Sequence, residues 1–282
     1  MSIMNTLPRL WRASAPLTVL GIVMLVAFAA SAIAVAVDPT EILGAPRWLK
    51  PAKFAISSAV YAFTLAWIFT WLPDRRRLTA IVGGITAVVL ALEVGIIDLQ
   101  AARGLTSHFN MATALDATLF SIMGLAIVVL WVSAMVLTVA LFRQRFEDAS
   151  FGWALRLGML LTVIGQGTGA LMTMPSDANL RTARSSGLPV SGAHTIGAPD
   201  GGPGLPITGW SREHGDLRVP HFIGMHAVQL LPAIAWSIGL VAAGAGRRLA
   251  VFVAAAGYYA LFAFLLAQAL AGHPLVPMMV SR

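Results

Sequence analysis

The residues able to do chemistry in this chain stand at a few separated places. "DLRVPHFIGMHAVQLLP", residues 216–232, sets His221 and His226 five positions apart where an apolar run begins. Glu93 and Asp98 repeat that spacing in "LEVGIIDLQ", and His108 and Asp116 open the run "HFNMATALD". Lys50 and Lys53, the only lysines among nineteen basic residues, lie three apart in "RWLKPAKF". On a helix, five residues make a rotation of about 140° and a rise of ~7.5 Å, so each such pair offers one group at a mouth and one deeper. That is not the i, i+4 pair with which one helix face chelates zinc. Imidazoles and carboxylates drawn from several helices can still bind zinc or iron and leave a position open for water.

The background to these groups is apolar. The chain has 282 residues, is 58% hydrophobic and 11% charged, and has a mean hydropathy of +0.80. A soluble domain carries roughly 25% charged residues, so this composition describes a polytopic membrane protein. The absence of cysteine excludes disulfides, thiolate nucleophiles, Cys-ligated zinc and iron–sulfur clusters. A formal charge of +7 could suggest nucleic acid, but the arginines sit at the ends of apolar runs, as anchors and topology signals do.

Apolar runs of about 20 residues span a bilayer as helices. Seven qualify, at 17–37, 48–72, 78–100, 110–142, 151–174, 220–243 and 249–271. The expected fold is therefore all-α, a single polytopic transmembrane domain of seven helices. Arg9, Arg12, Arg75 to Arg77, Arg143, Arg145, Arg247 and Arg248 fall on one side. This places the N-terminus in the cytoplasm and the C-terminus outside, in a bacterial cytoplasmic (inner) membrane. As an alternative, the first run is a cleaved signal peptide, since "AIAVAVD" offers small residues at suitable spacing. The connection 175–218 is Gly/Pro-rich and far longer than an ordinary loop, which suits a lid over a site.

Polar residues in these runs gather at one depth. Lys53, Glu93, Asp116, Gln166, His226 and Gln229 come from five different helices at a similar level, with Asp98, His108 and His221 above them. The other halves of the helices are nearly all Ala, Val, Leu and Ile, so that side reads as sealed. A charged group at the centre of a spanning helix costs ~2.5–3.5 kcal/mol on insertion scales, and such groups commonly mark a site or pathway. The plainer alternative is polar glue between helices. On the first reading Glu93, Asp116 and Lys53 are the catalytic candidates. His108, His221, His226 and Asp98 are the metal ligands, while His108, His226, Gln166 and Gln229 are the cofactor-binding set. Lys53 would pair with Glu93, Asp116 or an anionic ligand, while Lys50 snorkels to the headgroups. Asp216 and Arg218 would pair with each other or with Arg103. The glycines of "GMLLTVIGQGTGALM" let helices approach closely or leave room for a flat ligand.

Three functions fit. A metal-dependent membrane enzyme, hydrolase or oxidoreductase, would act on a lipid or small molecule with zinc or iron and a carboxylate base. Seven helices with histidines and an aspartate near one face are similar in outline to the ceramidase and progestin-receptor-like membrane hydrolases. Their paired histidines are four apart on the last helix, against five apart on the sixth here, and no residue role carries over. A b-type haem protein would use His108 with His221 or His226 as axial ligands. A proton-coupled transporter would relay protons through carboxylates and histidines. A retinal protein is excluded, because the final helix has no lysine for a Schiff base.

Overall fold

The computed structural model describes residues 6–175, 179 and 189–278. It is mostly helical, and its contacts divide the chain into two compact units, residues 1–137 and 138–282.

In the first unit a short helix α1 (Thr6–Ala13) leads into α2 (Ala15–Val37), with Ser14 between them as N-cap. Leu7 and Trp11 of α1 are exposed beside Arg9 and Arg12, the pattern of a helix lying in a membrane interface. The run weighed as a signal peptide packs as a full helix: Leu17, Leu20 and Met24 are buried, and Gly21 receives the Phe63 ring. A two-residue hairpin follows, β1 (Glu41–Ile42) paired antiparallel with β2 (Ala45–Pro46). Leu43 and Gly44 both hold positive φ at its tip, as a tight hairpin turn requires. Asp38 fastens the hairpin by accepting from Thr40 N, Arg47 and the Trp48 indole, the last at 2.8 Å. The Thr40 and Trp48 bonds hold its carboxyl well below the usual range. This clasp delivers the chain into α3 (Leu49–Phe69), whose buried face is a seam of Ala52, Ala55, Ala59, Ala62 and Ala66 against which α2 packs closely. A 3-10 turn at Pro73–Arg75 then starts α4 (Arg76–Ala102).

α4 ends in a Schellman motif, with Gly104 at φ 73, Gly104 N bonded to Ala101 O, and Leu105 N to Gln100 O. The fourth run does not begin as a helix at residue 110. Asn110 turns the chain by bonding Thr106 O and Ala112 N, and α5 (Ala114–Arg143) begins after Thr113. Ile96 and Ile97 of α4 meet Met123 of α5, with Phe54 and Leu119 packed against them.

The second unit holds α6 (Ala149–Gly167), the short α7 (Gly169–Met172), a strand pair β3 (Thr195–Ile196) and β4 (Gly215–Asp216), then α8 (Arg218–Met225), α9 (Ala227–Gly239) and α10 (Gly244–Leu270). Arg247 and Arg248, expected in a loop, belong to the first turns of α10. The expected helix 220–243 is broken: α8 and α9 meet at 48° across His226. Six helices are long and apolar enough to cross a membrane, or seven if the broken pair is one span. The chain is thus a multi-pass helical membrane protein. Of the expected lid, residues 176–178 and 180–188 lie outside the described residues. The remainder is ordered by the β3–β4 pair, with Gly215 pressed against Ala269 of α10.

Candidate functional site

At the end of the first unit where α3 starts and α4 finishes, three titratable side chains come together. Lys50 Nζ lies 3.0 Å from His108 Nδ1, and His108 Nε2 lies 3.5 Å from Glu93 Oε1. The Ser107 hydroxyl also reaches Nδ1, at 3.0 Å. An ammonium can only donate, so Nδ1 accepts and the ring proton sits on Nε2, facing the carboxylate. The order Lys50, His108, Glu93 runs inward: Glu93 is 3% exposed, and its second oxygen, Oε2, is buried with no hydrogen-bond partner among the described residues. Phe54 and Phe109 flank the imidazole at 5.5 and 6.0 Å between centroids.

Beside it, Asp116 makes a separate network. Its Oδ1 accepts from Gln100 at 2.9 Å and from Arg103 at 2.6 Å, and its Oδ2 accepts from the Thr113 hydroxyl at 2.7 Å. Thr113 Oγ1 in return accepts the Asp116 N–H, so Thr113 caps the first turn of α5. Asp116, expected in the catalytic set, therefore ties the α4–α5 connection to the first turn of α5. Asp98 stands half-buried near the rim, its buried Oδ1 without a hydrogen-bond partner among the described residues, and Lys53 is half-buried one turn below Lys50.

In the second unit, His221 Nδ1 donates to Gly165 O at 2.8 Å and lies 3.2 Å from the Thr168 hydroxyl. His226 sits at the helix break, 4.2 Å from the Phe222 ring. Thr162 of α6 is inserted into the break, donating to Met225 O at 3.1 Å and accepting from Val228 N at 3.1 Å. Tyr258 of α10 takes Ile223 O at 2.7 Å. Gly158 and Gly165 allow this approach: a Cβ on either would lie 2.6–2.7 Å from the backbone of Ala227 or Gly224. Those glycines are therefore filled by helix backbone, and the flat-ligand alternative gives way to packing. Gln166 Oε1 is buried without a partner among the described residues. Asp216 and Arg218 pair with each other as expected, at 2.6 Å.

Of the expected metal set, His108 and Asp98 belong to the first unit and His221 and His226 to the second. Among the described residues no three His, Cys, Asp or Glu side chains are grouped to hold a metal ion. Two residues not expected at a site stand in these arrangements. Lys50 faces His108 rather than snorkelling away. His194, in the loop, bonds Asp200 through both its backbone N–H (2.9 Å) and its Nδ1 (2.5 Å), and its carbonyl accepts from Leu217 at the start of α8. Burial raises Asp200, but the His194 bonds and charge outweigh it and leave its carboxyl pushed down to about 2. The "TALD" capping signature was the available signal for Asp116; nothing local marked His194.

No protein-family model, no curated protein and no solved structure matches this chain. Fold and site together define a multi-pass helical membrane protein with a Lys–His–Glu array, ending on a buried carboxyl, at one end of its first unit.

Proposed function

We propose that this protein exchanges protons at Glu93, through His108 and Lys50, with water at the mouth of the first unit, as the first step in moving protons across the membrane. We take that mouth to face the extracytoplasmic side of a bacterial inner membrane, an orientation that the arginines at the opposite helix ends support. The observation that carries the reading is Glu93 itself, a buried intramembrane carboxyl whose Oε1 faces an imidazole and whose Oε2 has no described partner. As Lys50 gives a proton to Nδ1, the Nε2 proton of His108 passes to Glu93 Oε1; water at the mouth then reprotonates Lys50. Lys50 so close to His108 also makes this corner unwelcoming to a divalent cation. Infrared difference spectra of the protein in lipid nanodiscs test the reading. A carboxyl band that grows as pH falls, is lost in Glu93→Gln and is weakened in His108→Phe is expected; a pH-dependent band that persists unchanged in Glu93→Gln refutes it.

A second reading belongs to the other unit. His194 is oriented by Asp200 and His221 by the Gly165 carbonyl, as metal-ligating imidazoles are oriented by their outer nitrogens. Zinc or iron held by this pair and water would support the metal-dependent chemistry. Stoichiometric metal in purified protein, lost in His221→Ala and His194→Ala, is the expected result. Metal content indifferent to both substitutions removes this reading.

A further inference from the structure

α4 carries a longer polar line than the Lys–His–Glu array uses. Thr79, Thr86, Glu93 and Gln100 recur every seven residues, and all four are buried, Thr86 and Gln100 completely. Seven residues fall short of two full helical turns by about 20°, so the four side chains form one slowly winding stripe. From Thr79 to Gln100 the helix climbs about 31 Å, close to the thickness of a bilayer's hydrocarbon core. At one end Thr79 Oγ1 donates to the carbonyls of Arg75 and Arg76; at the other Gln100 is bound to Asp116 and Arg103. Between the ends, Glu93 Oε2 and Thr86 Oγ1 are both buried without a hydrogen-bond partner among the described residues. Buried polar atoms are seldom left unpaired in folded proteins, and bound water is one way such a group is satisfied. The half of this helix expected to be sealed therefore has hydroxyls along its buried face.

We infer that a proton taken up on Glu93 Oε1 is carried inward as the carboxyl rotates and exchanges its two oxygens, and then leaves along this stripe, through water between Glu93 and the Thr86 hydroxyl, towards Thr79 and the arginine-rich end of α4. The first unit then contains a proton path from one membrane face to the other. In each hop a proton-bearing oxygen gives its proton to the next oxygen as that oxygen releases its own, so no hydroxyl gains net charge. A threonine hydroxyl can do this because it both donates and accepts. The charged groups around the line are Lys50 of α3 and His108 of the α4–α5 connection at Glu93, Arg103 and Asp116 above, and Arg75 and Arg76 below.

The inference rests on the proton-exchange reading of Glu93, and the experiment separates the two. The full chain is reconstituted in liposomes that trap a pH-sensitive dye, and a potassium–valinomycin potential drives protons inward. Wild type is expected to conduct, Glu93→Gln to abolish conduction, Thr86→Val to lower it on the order of tenfold, and Thr86→Ser to keep it near wild type. The Glu93 infrared band should survive in Thr86→Val. A wild type that shows the band but no proton flux, or a Thr86→Val protein that conducts like wild type, overturns the path and spares the Glu93 reading. Absence of the band from wild type overturns both.

Discussion

Phe109 shows how a single residue sets the candidate site. It holds a left-handed backbone, φ 64, although it is bulky and only 5% exposed. For a side chain with a Cβ that conformation costs roughly 1–2 kcal/mol. The Phe120 ring, edge-on at 5.8 Å, secures it, and the reversed backbone belongs to the turn that carries His108 between Phe54 and Glu93. Phe109→Gly should therefore be more stable than Phe109→Ala by about 1 kcal/mol, since both lose the ring but only glycine relaxes the backbone. Unfolding of the purified variants in detergent compares them; an alanine variant as stable as the glycine one would show that Phe109 is not strained. Residue types and depths were legible in the sequence, which picked out Glu93 and His108. Their partnership was not, because it depends on a left-handed residue and on Lys50 turning inward.

At the scale of elements, the broken span between α8 and α9 is the feature that sequence described least well. The run 220–243 was expected as one continuous helix, whereas it bends at His226, ahead of Pro232. There Thr162 takes the Val228 N–H and the Met225 carbonyl, so a side chain of α6 replaces a stretch of helical hydrogen bonding. Thr162→Val leaves both groups unpaired and should lower stability by about 1–3 kcal/mol. Gly165→Ala, whose Cβ would meet Gly224 at 2.6 Å, should cost a similar 1–3 kcal/mol by overpacking. Denaturant or thermal unfolding in micelles measures both; a Thr162→Val protein as stable as wild type would mean the break is not held by that hydroxyl. The glycines of α6 were legible as a packing face, but their exact partners belong to the fold.

At the scale of the whole molecule, composition and periodicity determined the class. Runs of about 20 apolar residues with charged ends have no stable alternative to membrane-spanning helices, because every backbone polar group in lipid must be satisfied within the segment. The sequence by itself therefore determined the multi-pass helical class and the approximate extent of the apolar helices. Only the tertiary structure decided which polar groups meet. It put Lys50, His108 and Glu93 in one array and bound Asp116 to Gln100, Arg103 and Thr113. It also gathered Gly158, Thr162 and Gly165 around a broken helix. The reason is physical: depth follows from counting residues along one helix, whereas partnership depends on helix rotation and on turns of a few residues, which side-chain packing between helices sets.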